Sequence, residues 1–368
     1  MPGYAKHRGF NNLSLGKPSI GARRAIPRNK MSRAGRSAGG KAFADPQVAQ
    51  ALAEQGAQHY RRGQFAAARP FLEKARDAMA ARHGAEAPAL LPILNQLARA
   101  YRQLGEFKKA WSCSECALPI AEAAFGGESP EVAIPLEGLA KAYFALGYLD
   151  RCYQTAERAV AILQAALGDD HAEVAIARDR LGVALAEMGA FERARELHMR
   201  AVAVLRTGGR GRELARALAN AAATYLVTGD LAAARPLYED ALATARAAYG
   251  EEHEDTAAYL ALLGDYWAKA GDDAQALRSY RQALAVKRAA LGELHPDIAY
   301  LLFKIGQTEY PKKPAVGREI VFQAIAIINV RVFRPHLFAD ICSFLARIVA
   351  PSPTAIFLWK LAINDIES

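Results

Sequence analysis

Three columns of residues recur along this chain at one shared spacing, and nothing else in the sequence restricts the fold as much. Gly63, Gly105, Gly147 and Gly189 stand 42 residues apart; Gly229 follows after 40 and Gly271 after another 42. Ala75, Ala117, Ala159, Ala201, Ala241 and Ala283 keep the same rhythm with the same two-residue deletion. Gly84, Gly126, Gly168, Gly250 and Gly292 form a third column. Self-similarity at this period marks a repeat architecture, in which each unit is one supersecondary element that cannot bury its apolar face alone.

The clearest copy is LAKAYFALG (Leu139–Gly147), with LARAYRQLG at Leu97–Gly105 and LGVALAEMG at Leu181–Gly189. Each unit reads as helix, tight turn, helix, loop. The turn glycines Gly105, Gly147, Gly189, Gly229 and Gly271 stand where a left-handed residue ends the first helix. The loop after the second helix recurs as GGESPEVA, GDDHAEVA, GEEHEDTA and GELHPDIA. Ser129 or His295 is placed near the N-cap, Pro130 or Pro296 at the first helical position, and an acid in the first turn. His171, His253 and His295 are therefore read as capping residues, not ligands. Leu97, Leu139, Leu181 and Leu263 point into the helix pair. Ala98, Ala140, Gly182, Ala222 and Gly264 are small where the partner helix comes close, and Tyr101, Tyr143, Tyr225 and Trp267 fill the space above that contact.

The composition, 52% apolar with few aromatics, suits helices packed through small residues. No run approaches the roughly 18 apolar residues that span a bilayer. The net charge of +9 is local: residues 1–43 hold ten basic residues and no acid, so the other 37 basic and 38 acidic residues nearly balance. That segment lacks hydrophobic periodicity and reads as a disordered basic tail, with Met31 as a candidate start. Nucleic acid, or an acidic surface, is expected as a partner only through residues 1–43.

Four cysteines (113, 116, 152 and 342) do not make a disulfide framework in a chain of 368 residues. The Cys113/Cys116 pair has no second CxxC or His pair at zinc spacing, and both read as packed thiols; Cys152 replaces a small core residue. TGGRGRE (207–213) lacks the Lys-Ser/Thr of a phosphate loop and fills the linker that lost two residues. There is no HExxH or GxSxG. The expectation is a non-enzyme with no catalytic, cofactor or metal residues.

The small-residue, Tyr, Gly and Ala columns on a helix–turn–helix unit resemble the tetratricopeptide repeat. The 42-residue spacing and the G-x-x-H-P-x-x-A linker are similar to the kinesin-light-chain type common in bacterial proteins. The resemblance covers 44–310, as six repeats plus the first helix of a seventh, and leaves 311–368 as divergent repeat helices or a cap. It implies an all-α, right-handed α-solenoid whose concave groove holds a peptide or partner segment. AIFLWKLAIN (355–364) is similar to the last repeat helix before the CHAT protease-like domain of some bacterial tetratricopeptide proteins. His336 and Cys342, six apart, do not share a helix face and are not read as that domain's catalytic pair.

In the family the groove is lined by first-helix residues off the packing columns. Carried over, these are Asn95, Arg99, Arg102, Lys141, Asn220, Asp265 and Lys269. Amides there can satisfy a peptide backbone, and Arg or Lys can fork onto carboxylates. Arg99, Arg102 and Lys141 lie toward the N-terminal half and suggest an acidic segment, although Glu137 and Asp179 at nearby positions break a uniformly basic lining. The leading expectation is a cytoplasmic, non-catalytic protein-interaction scaffold. Two alternatives stand beside it: a sensor module separated from a CHAT protease-like effector, and a nucleic-acid-associated protein acting through its basic arm.

Overall fold

A computed structural model describes residues 46–330 together with 340, 341, 343 and 344. The basic tail, His336, Cys342 and the helix compared with CHAT-linked repeats lie outside the described residues. Within them the regular structure is helical, and the chain divides into two compact units, one running to Gly189 and the other starting at Ala190.

The first unit holds α1 (Pro46–Arg61), α2 (Phe65–His83), α3 (Leu91–Gln103), α4 (Phe107–Phe125), α5 (Pro130–Ala145), α6 (Leu149–Leu167) and α7 (Ala172–Glu187), with a single 3₁₀ turn at Pro88–Leu90 leading into α3. Each helix packs on the next in sequence, and first helices also touch across repeats, α1 on α3 and α3 on α5. The second unit holds α8 (Phe191–Thr207), α9 (Gly211–Thr228), α10 (Leu231–Tyr249), α11 (Glu254–Lys269), α12 (Asp273–Leu291), α13 (Pro296–Glu309) and α14 (Pro314–Val330), packed in the same sequential way. Both are α-solenoid stacks of helix pairs.

The turns follow the expected chemistry. Gly105, Gly147, Gly189, Gly229 and Gly271 have φ between 74° and 88°, the left-handed region in which a Cβ is strained. At the helix starts, Nδ1 of His171, His253 and His295 accepts the backbone N–H two residues on, at 3.2, 3.1 and 3.2 Å. Asp230 and Asp272 do the same with a carboxylate, toward Ala233 and Gln275. Ser129 occupies the N-cap position without making that bond, because its hydroxyl donates to the Glu131 carboxylate. The turn from α13 to α14 uses no such glycine; Lys312 and Lys313 donate their N–H groups to the Glu309 carbonyl.

Packing explains the small-residue column. A Cβ added to Gly264 would lie 2.6 Å from the ring of Tyr280, sixteen residues on in the partner helix; at Gly56 it would meet Leu72 at 2.6 Å. Gly56 and Gly306 continue the column at both ends, and Gly306 is closed by Val321 of α14 at 2.7 Å. Leu97, Leu139, Leu181, Ala98, Ala140, Gly182 and Ala222 are buried as expected. Leu263 is only half-buried, packing at the margin of two clusters, one around Tyr280 and one around Tyr238.

Of the aromatic column only Tyr101 is buried; its hydroxyl donates to Glu73 at 2.5 Å. Tyr143, Tyr225 and Trp267 are half-buried, and a cation covers each ring: Arg151 at 5.8 Å, Arg195 at 5.0 Å and Arg235 at 5.0 Å. Cys113 and Cys152 are buried, and burial pushes their thiols up to about 12 and about 11; Cys116, three residues from Cys113, is exposed.

A cationic cleft between first helices

Four of the seven expected groove residues converge. Asn95, Arg99 and Arg102 on α3 and Lys141 on α5 line one cleft, joined by Ile134, Glu137 and Gly138 of α5 and Ala110 and Ser114 of α4. Helical spacing accounts for this. Asn95, Arg99 and Arg102 recur at four and three residues on one face, as do Ile134, Glu137 or Gly138, and Lys141. The buried faces of the same helices carry Leu97 and Leu139, so packing fixes the direction in which the polar set points.

Charge is the dominant property of the site. Glu137 lies 3.7 Å from Lys141 and is in ion-pair contact with Arg180 of α7. One carboxylate thus faces four cations: Arg99, Arg102, Lys141 and Arg180. Burial lowers the Lys141 ammonium to about 7, and Arg180, Arg102 and Arg99 add to the depression against the opposing pull of Glu137. Burial also lowers Arg102, reinforced by Arg180 and Arg99. The cleft carries more positive charge than its own residues neutralise.

Ser114 adds a second polar feature. It is 1% exposed, and its hydroxyl lacks a hydrogen-bond partner among the described residues. Its register is that of Leu72, His198, Tyr238 and Tyr280, which are large, and of Ala156, which is small. A small hydroxyl there, opposite Gly138, leaves the cleft open; a Cβ on Gly138 would sit 2.4 Å from the Ser114 oxygen. Ile134, 47% exposed, gives the cleft one apolar wall. Arg99 also borders a second hollow lined by Ala57, Tyr60 and Arg61 of α1 and by Gln96.

The other three candidates do not form a comparable site. Asp265 accepts hydrogen bonds from Tyr280 at 2.7 Å and Tyr300 at 2.9 Å and pairs with Lys304 at 2.8 Å, so its charge is committed to packing. Lys269 donates to the Leu226 carbonyl, and burial lowers its ammonium. Asn220 is half-buried on α9 and engaged within the protein. Asp179, read from sequence as a groove acid, is fully buried and presents no charge to solvent. Ser114 and Ile134 were missed because they lie off the carried-over register; Arg180 shares the register of Asn220, forty residues on, but was not itself singled out. The sequence signal for Ser114 was a small hydroxyl in a column that otherwise reads Leu72, Ala156, His198, Tyr238 and Tyr280.

Stacked helix pairs, turned by left-handed glycines in all but the α13–α14 pair and sealed by a column of small residues, define an all-α repeat protein. The chain belongs to the tetratricopeptide repeat family, whose model matches residues 47–123, 93–151, 131–207 and 213–289. No curated protein matches it in sequence. Among solved structures it is similar to the Rap conjugation gene regulator of plasmid pLS20 in complex with the Phr* peptide, at 14% identity, 88% of this chain, 95% of that chain and a TM-score of 0.59. Aspartyl phosphate phosphatase F from Bacillus subtilis matches at 11% identity, over 80% of this chain and 73% of that one, with a TM-score of 0.60. The nearly identical kinesin-light-chain TPR-like repeats of Podosopora anserina match at 24% identity, over 56% and 99%, with a TM-score of 0.46. Among the described residues no helix is long and apolar enough to cross a membrane.

Proposed function

We propose that this protein is a non-catalytic interaction scaffold that captures an acidic segment of a partner protein in the cleft between α3 and α5. The observation that carries the reading is the meeting of Arg99, Arg102, Lys141 and Arg180 around the single carboxylate of Glu137. Tetratricopeptide repeats are in general a non-catalytic scaffold fold, and the pLS20 regulator was solved with a peptide bound. An extended segment lying along the first helices would set carboxylates against the guanidinium groups and an apolar side chain against Ile134.

The test is selection of peptides from a randomised library by the full chain. Acid-rich peptides should be enriched, and the double reversal Arg99→Glu and Arg102→Glu should weaken the best of them by about a hundredfold. Circular dichroism should show unchanged helicity, because Arg99 is exposed and neither guanidinium is buried in the core. Enrichment without acids, or full retention by the reversed variant, counts against the reading.

A further inference from the structure

The geometry points to a phosphoryl group as the ligand of this cleft, held by Arg99, Arg102, Lys141 and Arg180 with the Ser114 hydroxyl as an additional donor. The inference rests on the scaffold reading and narrows its ligand from acidic groups in general to a dianion.

Stoichiometry of charge gives the first argument. Four cations face one carboxylate, so a single incoming carboxylate would still leave the site with surplus positive charge. A phosphoryl group carries close to two negative charges near neutral pH and offsets most of that surplus. The depression of Lys141 reports the same imbalance from within the protein, since its positive neighbours help to discharge it. A bound dianion would restore the proton to Lys141.

Donor supply gives the second. Guanidinium and ammonium groups donate and do not accept, and a phosphoryl group has three terminal oxygens that only accept. A carboxylate has two oxygens and would leave donors idle. The Ser114 hydroxyl is buried without a partner in the wall of this cleft, and buried hydroxyls are as a rule satisfied. Among the described residues no carbonyl or carboxylate answers it, so an acceptor that arrives with a ligand accounts for it. Gly138 keeps the approach clear, since any Cβ there would press on that oxygen.

The test has two arms on the full chain. In calorimetry, inorganic phosphate and sulfate should bind, while acetate at matched ionic strength should not. Ser114→Ala should weaken phosphate binding about tenfold. Lys141→Met with Arg102→Gln should abolish it, and Arg200→Gln, on the exposed face of α8, should change nothing. In the second arm, library-selected peptides are compared in three forms, carrying phosphoserine, aspartate or serine at one position. Phosphoserine forms binding at least about tenfold tighter than aspartate forms supports the proposal. Equal binding of phosphoserine and aspartate, or equal responses to phosphate and acetate, overturns it and leaves the scaffold reading standing. Binding of inorganic phosphate with no binding of any peptide form overturns the scaffold reading and leaves the phosphoryl site.

Discussion

Arg99, Lys141 and Asp265 occupy one register, each two residues after the packing leucine of its first helix, and the two units use that position in opposite ways. In the first unit it holds cations that outnumber their acidic partner in a solvent-reachable cleft. In the second it holds a carboxylate enclosed by Tyr280, Tyr300 and Lys304. The difference lies sixteen residues beyond the small column. Where Tyr280 fills the space against Gly264, its hydroxyl reaches Asp265 and closes the site. Where Ser114 stands at the equivalent place, nothing fills it. Repeat register therefore determines where a side chain is presented, and the bulk of its neighbour decides whether it is used for packing or left available.

The comparison can be tested by substitution, and the largest effect is expected where both units depend on the same feature. Leu139→Arg in the shared leucine column should cost more than about 3 kcal/mol, combining lost packing with a buried unpaired charge. Its melting temperature should fall by at least about six degrees. Asp265→Ala should cost about 2–3 kcal/mol, because it strands the buried Tyr280 hydroxyl and the Lys304 ammonium. A loss below about 0.5 kcal/mol in denaturant unfolding would mean that the carboxylate is not committed as described.

Two glycines set against this register should respond differently to the same change: Gly264, sixteen residues before Tyr280, and Gly138, twenty-four residues after Ser114. Gly264→Ala drives a methyl into the Tyr280 ring and should cost about 1–3 kcal/mol. Gly138→Ala meets a serine hydroxyl that can turn aside and, at 3.2 Å, the serine Cβ, and helix propensity favours alanine, so the net change should lie within about 1 kcal/mol. Parallel urea titrations that gave equal losses would remove the distinction between a filled and an open repeat.

Lys141→Met should have the smallest effect and the opposite sign. The folded ammonium is lowered to about 7, below the unfolded value of about 10.4, so the unfolded chain binds more protons between those pH values. Wild-type stability should rise with pH across that window, and the penalty is full below pH 7. The side chain is a third exposed, so removing it should stabilise by no more than about 1 kcal/mol at pH 7, with the gain fading toward pH 10. Melting temperatures of both forms at pH 6, 8 and 10 would check the sign.

Much of the fold was legible because its determinants are local and repeated. Gly105 and Gly147 mark turns by backbone conformation, and His171, His253 and His295 mark helix starts by capping, without reference to anything distant. The site was legible in half. Arg99, Arg102, Asn95 and Lys141 followed from helical phase. The fate of Asp265 did not, because it depends on Tyr300 and Lys304 one repeat further on. Asp179 misled for a related reason: register gives a direction, but burial depends on what packs over it. Ser114 entered the cleft from a second helix, outside the first helices that define the groove, and Arg180 entered from α7, the first helix of the next repeat, at the register of Asn220.

The Gly264–Tyr280 pair has a consequence for how such a chain can be rearranged. Both partners lie in one helix hairpin, as do Gly56 and Leu72, so a repeat with such a pair carries its large-to-small fit as a self-contained cassette. Duplicating or excising a whole 42-residue cassette keeps every such fit intact, whereas a crossover that falls between the two helices would join a tyrosine from one hairpin to an alanine from another.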